Sequence, residues 1–296
     1  MMLRSILEGI ISGIMIGGVY SLVALGIVVV FKSTKVVTFA QGGILLMGAI
    51  IGWALMGPAK LPIGLGIILT LAVCALLGLC LDRFTLRPIL GQPVLASIMV
   101  TIALAWFFDS VGTLIIGGGE RPYPPLLPQG TYKVGLINIS QSLLLQFIIA
   151  IVMFIVFSLF YRYARLGLAM RGTAEDHEVV QSLGIKVTNI FSYSWVIASL
   201  TGGVSGMLLA STLGATVGLS EIGMKALIVV LIGGMESVTG VILMGPIIGI
   251  LESLTIQILD PLVGGGLGEV VPYAVMLIML LIKPYGLFGL KRIERI

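Results

Sequence analysis

The sequence predicts an all-α integral membrane protein, a polytopic helical bundle of about eight to ten transmembrane or re-entrant helices, on three observations. Of its 296 residues 58% are hydrophobic and 10% charged, less than half the charged share of about 25% with which soluble domains cover their surface. Nine apolar runs follow one another along the chain, most of them near the roughly 20 residues that a helix needs to cross some 30 Å of hydrocarbon. Forty Gly, twelve Pro and 7% aromatics suit helices that pack closely and break in places, whereas the strands of a lipid-facing barrel alternate polar and apolar residues. Seventeen Lys and Arg against 13 Asp and Glu leave a formal charge of +4. That total does not point to nucleic acid, and its meaning lies in placement relative to the bilayer.

The first run, 6–31, is far longer than the apolar core of a signal peptide and reads as a retained span. It carries Gly9, Gly13, Gly17 and Ser21 at four-residue spacing. The second, 36–56, opens on a polar break, Thr38-Phe39-Ala40-Gln41-Gly42-Gly43. The third, 61–81, holds both cysteines, Cys74 and Cys80. Six residues of helix put them on different sides and about 9 Å apart along the axis, too far for a disulfide. The fourth run, 94–116, contains Asp109. The loop 117–141, on the outer side, begins Gly117-Gly118-Gly119 and continues through Pro122, Pro124, Pro125 and Pro128, which forbids a regular helix and predicts an extended cap or docking surface. After the fifth run, 141–161, comes the basic loop 162–188. There Thr173-Ala174-Glu175-Asp176, followed by Val179, Val180 and Leu183 and closed by Gly184, predict one capped amphipathic helix over 174–183.

The sixth run, 189–212, repeats small residues at Ser199, Gly202, Gly203 and Gly206. The seventh, 222–233, and the ninth, 270–283, are short. Broken or re-entrant elements of that kind are tolerated at membrane depth when buried in protein or lining a wet cavity. A second polar break, Gly233-Gly234-Met235-Glu236-Ser237-Val238-Thr239-Gly240, precedes the eighth run, 240–259, with Gly245, Gly249 and Glu252. Placing loop 162–188 in the cytoplasm puts twelve cations inside: Lys32, Lys35, Arg83, Arg87, Arg162, Arg165, Arg171, Lys186, Lys283, Lys291, Arg292 and Arg295. Four lie outside, Arg4, Lys60, Arg121 and Lys133, and Lys225 sits in a span. The asymmetry predicts an outside N-terminus and a cytoplasmic C-terminus.

The small-residue stripes fit close helix packing or, in the second reading, a hinge or pathway lining. Asp109, Lys225 and Glu252 each carry an insertion cost of about 2.5–3.5 kcal/mol near a helix centre. On this topology they fall toward the outer ends of their spans. They are structural pairs, as the placement of Lys225 four residues after Glu221 allows, or substrate contacts. The breaks at Gln41, Gly42 and Gly43 and at Gly233, Gly234 and Glu236 are of the kind that frames a transport path in carriers; for the second, a plain cytoplasmic turn is the simpler reading. Enzymatic chemistry has little support. His177 is the only histidine and the two cysteines share one apolar run, so no metal-ligand cluster of His and Cys is expected. No Gly-x4-Gly-Lys-Ser/Thr phosphate loop occurs, so any ATP must be bound by another subunit.

Three stretches carry a resemblance that covers nearly the whole chain: Phe31-Lys32-Ser33-Thr34-Lys35-Val36-Val37-Thr38-Phe39-Ala40-Gln41-Gly42, then Leu166-Gly167-Leu168-Ala169-Met170-Arg171-Gly172-Thr173-Ala174-Glu175-Asp176 running on to Leu183-Gly184-Ile185, and Leu231-Ile232-Gly233-Gly234-Met235-Glu236-Ser237-Val238-Thr239-Gly240. In these the sequence resembles the membrane permease subunit of the branched-chain amino-acid ABC importer family. The resemblance implies a single transmembrane permease domain over 1–296 in a bacterial cytoplasmic membrane. It also implies an external substrate-binding protein, a second related permease subunit completing a heterodimer, and two cytoplasmic ATPase subunits that hold ATP and magnesium, with no cofactor bound by this chain. The helix over 174–183 is then the coupling helix, and Arg171, Thr173, Ala174, Glu175, Asp176, Leu183 and Gly184 are its coupling residues. Its acidic residues argue against a helix resting on anionic headgroups. The implied substrates are leucine, isoleucine and valine, or a related small polar molecule such as urea or an amide. A self-sufficient secondary carrier or channel, with Asp109, Lys225 and Glu252 as coupling or selectivity groups, is the alternative.

Overall fold

Each of the nine apolar runs is helical in the computed structural model, which describes residues 2–89, 92–135 and 137–289. In chain order the helices are α1 (Met2–Thr34), α2 (Gln41–Met56), α3 (Ile63–Cys80), α4 (Val94–Ile116), α5 (Gln141–Tyr163), α6 (Arg165–Glu175), α7 (His177–Ser182), α8 (Val187–Leu213), α9 (Glu221–Gly233), α10 (Val238–Leu254), α11 (Asp260–Val263) and α12 (Leu267–Ile282). Among the described residues six helical stretches are long and apolar enough to cross a membrane, and α2 and α12 are shorter apolar helices. The chain is therefore an all-α, multi-pass membrane protein. Of the cations used to orient it, Lys291, Arg292 and Arg295 lie outside the described residues.

Several boundaries differ from the sequence reading, each for a local reason. The second helix begins at Gln41 and not at 36, because Lys35 takes a left-handed φ of 57°. The hydroxyls of Thr34 and Thr38 then accept hydrogen bonds from the backbone of Val36 and Ala40, at 3.3 and 3.2 Å. Such short-range bonds compete with the helical ladder. The third span does not stop at residue 81; it runs on through a π-helical turn, Leu81–Leu86, and a 3-10 turn to Ile89. The eighth likewise continues through a π turn, Thr255–Leu259, into α11. Inside loop 117–141, strands β1 (Thr131–Val134) and β2 (Ile137–Ser140) pair as an antiparallel hairpin with Thr131 opposite Ser140. The proline-rich start of the loop does not announce it.

The chain divides into two compact units. The first combines Met1–Ala24, Leu127–Ile151 and Lys225–Ile296. Its seam is the glycine stripe of α1 against α10. A Cβ on Gly13 would meet the backbone of Gly249 and Ile250 at 2.6 Å, and one on Gly17 would overlap the Gly245 carbonyl. Ser21 closes the row by donating to the Val241 carbonyl at 2.9 Å. Near the other end of this unit, the segment after α12 folds back on α9. Leu287 N–H donates to Ile232 O at 2.8 Å and Phe288 N–H to Gly233 O at 3.2 Å, satisfying carbonyls that a helix end leaves open.

The second unit combines Leu25–Leu126 and Val152–Met224. Trp195, Ile44, Phe108, Val30, Leu81, Leu86 and Ala198 form its buried core. Here too the small residues are seams: Gly48 faces Gly203, and Gly206 lies on the Leu45 carbonyl. The stripes thus serve close helix packing, which in lipid replaces the hydrophobic drive. Ile68, Leu76, Trp106 and Leu114 are exposed on α3 and α4, as suits surfaces covered by hydrocarbon or another membrane chain. Cys74 is buried, Cys80 is exposed, and both are free thiols.

Candidate functional site

The loop 162–188 holds two helices where the sequence predicts one. The expected single helix over 174–183 does not form: α6 runs through Thr173 and Ala174 to end at Glu175, Asp176 is extended at φ −152°, and α7 begins at His177. Thr173 does not cap. Its hydroxyl donates to the Ala169 carbonyl within α6 at 2.9 Å and is fully buried. Asp176 is the true cap, accepting from Val179 N–H through Oδ1 at 3.2 Å as an N-cap aspartate does. Glu175 therefore sits at a helix C-terminus, the unfavourable end of the dipole for an acid. The predicted stop is correct: Gly184 has φ +81°, and Gly184 and Ile185 donate to Gln181 and Val180, a Schellman ending that glycine permits.

Packing ties this pair of helices to the spans. Arg171 Nη1 donates to the carbonyls of Tyr161 and Arg162 at 2.7 and 3.1 Å, so α6 caps the end of α5. Val180 is buried with Val187 and Phe191, and the His177 ring meets Phe191 edge-on at 5.7 Å. That cluster clamps α7 to the start of α8. On the other side Val179 and Leu183, four residues apart, stand exposed at 55% and 73%, an apolar pair on a rigid support.

The intramembrane charges behave differently from one another. Lys225 does not pair with Glu221 as its spacing suggests; its Nζ lies 2.5 Å from Glu252 Oε1. Glu252 is 6% exposed and lies near the middle of the continuous helix Val238–Val263, not toward its end. Asp109 is half-buried, with Ser220 as a hydrogen-bonding neighbour and Oδ1 without a partner. Asp109 belongs to the second unit, and Lys225 and Glu252 to the first.

At the first polar break, Gln41 is buried and donates through Nε2 to the Ala198 carbonyl at 3.0 Å, while its Oε1 has no partner. Gly42 abuts the backbone of Ser220 and Gly223, and Gly43 the ring of Phe108. At the second break Gly233 and Gly240 touch backbone to backbone, and Gly234, at φ +103°, packs on Gly289. Ser237 caps α10 by accepting from Gly240 N–H at 2.9 Å. Glu236 stands in the turn between these glycines. A tight turn is what the geometry builds there.

One constellation escapes the sequence reading. Asp82, in the π turn after α3, is 2% exposed. Its Oδ2 accepts from Arg87 Nε at 2.9 Å and from Ser192 Oγ at 2.6 Å, and Arg87 Nη2 also donates to Ser192 at 2.7 Å. Arg87, expected as a loop cation, is thus a strut between the end of the third span and the start of α8. Among the described residues no three His, Cys, Asp or Glu side chains gather as a metal site.

A family model described as branched-chain amino acid transport system / permease component matches residues 9–280. Similar proteins include the high-affinity branched-chain amino acid transport system permease protein BraD of Pseudomonas aeruginosa, 26% identical over 304 residues and 98% of each chain. LivH of Escherichia coli K12, of the same description, is 26% identical over 306 residues, covering 98% of this chain and 97% of its own. Among solved structures, PsaBC from Streptococcus pneumoniae in complex with Fab superposes with a TM-score of 0.51 over 94% of this chain and 91% of that one, at 14% identity; this is a likeness of fold. With nearly its whole length matched, the chain belongs to the family of branched-chain amino acid transport permease components.

Proposed function

We propose that this protein is the transport subunit of an ATP-driven importer that carries branched-chain amino acids, or a related small polar solute, across a bacterial cytoplasmic membrane. The family match over residues 9–280 carries the reading. In this account the chain works as one transmembrane domain beside a second, related permease, an external binding protein supplies substrate, and two cytoplasmic ATPases bind ATP and magnesium. The N-terminus lies outside and the C-terminus inside, as the distribution of Lys and Arg favours. The coupling residues are Val179 on α7, Leu183 just after it and Asp176 as its cap, with Arg171, Thr173, Ala174, Glu175 and Gly184 supporting them. An exposed apolar pair on a helix clamped to α8 suits a groove in an ATPase, because a rigid clamp transmits displacement where a loose loop would absorb it.

The test is reconstitution. The permease pair, the ATPases and the binding protein in proteoliposomes should take up radiolabelled leucine only with ATP, and affinity purification of this chain should bring the ATPases with it. Uptake by this chain alone, driven by an ion gradient, would replace the importer reading with a secondary carrier.

A further inference from the structure

In the unit that contains α10, a cavity of about 210 Å³ opens between α1 and α10, lined by Tyr20, Gly249, Glu252, Ser253, Ile256 and Gln257. Glu252 is more than nine-tenths buried. Its Oε1 is taken by Lys225 at 2.5 Å, the Tyr20 phenol stands beside the carboxylate, and Oε2 is buried without a hydrogen-bond partner. A carboxylate oxygen at membrane depth with open acceptor sites is costly, and it calls for a donor. The Ser253 hydroxyl lies 3.2 Å from Ser12 Oγ and accepts from Gln257 Nε2 at 3.5 Å, so polar groups continue along the wall. The floor is the π turn Thr255–Leu259, a distortion found often at functional sites.

We propose that this cavity takes a primary ammonium group carried on a short alkyl chain, with Glu252 Oε2 as its acceptor. An ammonium brings three donors and no acceptor, which complements the unpartnered oxygen. One carboxylate with hydroxyl and amide neighbours is too few charges for a divalent cation. Ile16 and Ile256 on the same wall suit an aliphatic chain. This deepens the transport reading and rests on it only in naming the bearer of the ammonium as an amino acid.

The experiment uses the assembled complex with Cys74 and Cys80 replaced by Ala and a single reporter, Ser253→Cys, with Gln257→Cys as the second reporter should the first disturb the seam with Ser12. Labelling rates are compared for a cationic trimethylammonium-ethyl and an anionic sulfonato-ethyl methanethiosulfonate. Lys225 neutralises the carboxylate, so the two reagents should react at similar rates in the unsubstituted complex. Glu252→Gln leaves Lys225 uncompensated and should make the anionic reagent faster by about tenfold, as a charged cleft concentrates counter-ions; Lys225→Met, which frees the carboxylate, should favour the cationic reagent by a similar factor and serves if the first substitution lowers complex yield. Leucine and isopentylammonium, which is leucine without its carboxylate, should protect the thiol, and 4-methylpentanoate, which lacks the ammonium, should not. Equal rates for the two reagents in both variants, or equal protection by 4-methylpentanoate, overturns the proposal. Protection by isopentylammonium but not by leucine upholds the ammonium site and overturns only its assignment to an amino acid.

Discussion

Replacing Gly17 with Ala adds one methyl group to the tightest seam of the first unit, and its cost follows from the contacts there. The new Cβ would lie 2.6 Å from the Gly245 carbonyl carbon and from Pro246 Cα, and closer still to the carbonyl oxygen. Carbon atoms rest at about 3.5–4.0 Å, so α1 and α10 must part locally by about 1 Å. Both partners are backbone, and no rotamer change relieves the overlap. A gap of that size forfeits up to half of each pairwise attraction of about 0.1–0.2 kcal/mol. Over a seam of some 20–30 atom pairs the loss is about 1–3 kcal/mol, in line with overpacked cores. The assay is reversible unfolding of the detergent-solubilised chain by sodium dodecyl sulfate, with Gly64→Ala as the control. Gly64 lies in α3 and a Cβ there meets nothing within 4 Å, so that change should be neutral or slightly stabilising. Equal stability of the two variants would refute the account of the glycine stripe as a packing seam.

Three further outcomes are expected. Asp82→Asn should lower stability by about 2 kcal/mol, less than the full penalty for breaking a buried pair because Arg87 is one-third exposed; Asp82→Asn combined with Arg87→Leu should recover part of it in the same unfolding assay. Asp176→Ala should cost α7 about 1 kcal/mol of local stability by removing its cap and reduce ATPase co-purification, whereas Glu175→Gln, at the far end of α6, should leave the stability of α7 unchanged; an equal loss of stability from the two would contradict the split into two helices. A cysteine at Gln129 should label from outside and one at Glu175 only after permeabilisation, and labelling of both from the same side would invert or break the topology.

Spans are legible in sequence because a run of some twenty apolar residues has one use in a bilayer. The run 94–116 predicts α4 to the residue. The small-residue stripes are legible for the same reason, although which helix each one meets is not. Partners are hidden when they are distant in the chain: Glu252 is 27 residues from Lys225, and Ser192 is 110 from Asp82. The nearer acid, Glu221, offers a plausible pair on helical spacing and loses to the packing of α9 against α10. In the inner loop Thr173 reads as a cap by residue type, yet Arg171 holds its neighbourhood inside α6 through the end of α5, a tertiary tie that local pattern does not carry. The hairpin after the prolines is concealed similarly, since four-residue strands are too short for their alternation to stand out.

The two bonds from Leu287 and Phe288 to the end of α9 have a consequence for biosynthesis. Those donors are translated only after α10, α11 and α12, so α9 enters the membrane with two carbonyls at its end that the rest of the chain has yet to answer. An open backbone group in hydrocarbon costs several kcal/mol, enough to keep that end of α9 near water until the later residues arrive. A chain interrupted between residues 283 and 286 therefore has every one of these helices and a Lys225-bearing helix that cannot settle, and a purification tag is better placed after residue 289 than grafted onto a shortened end.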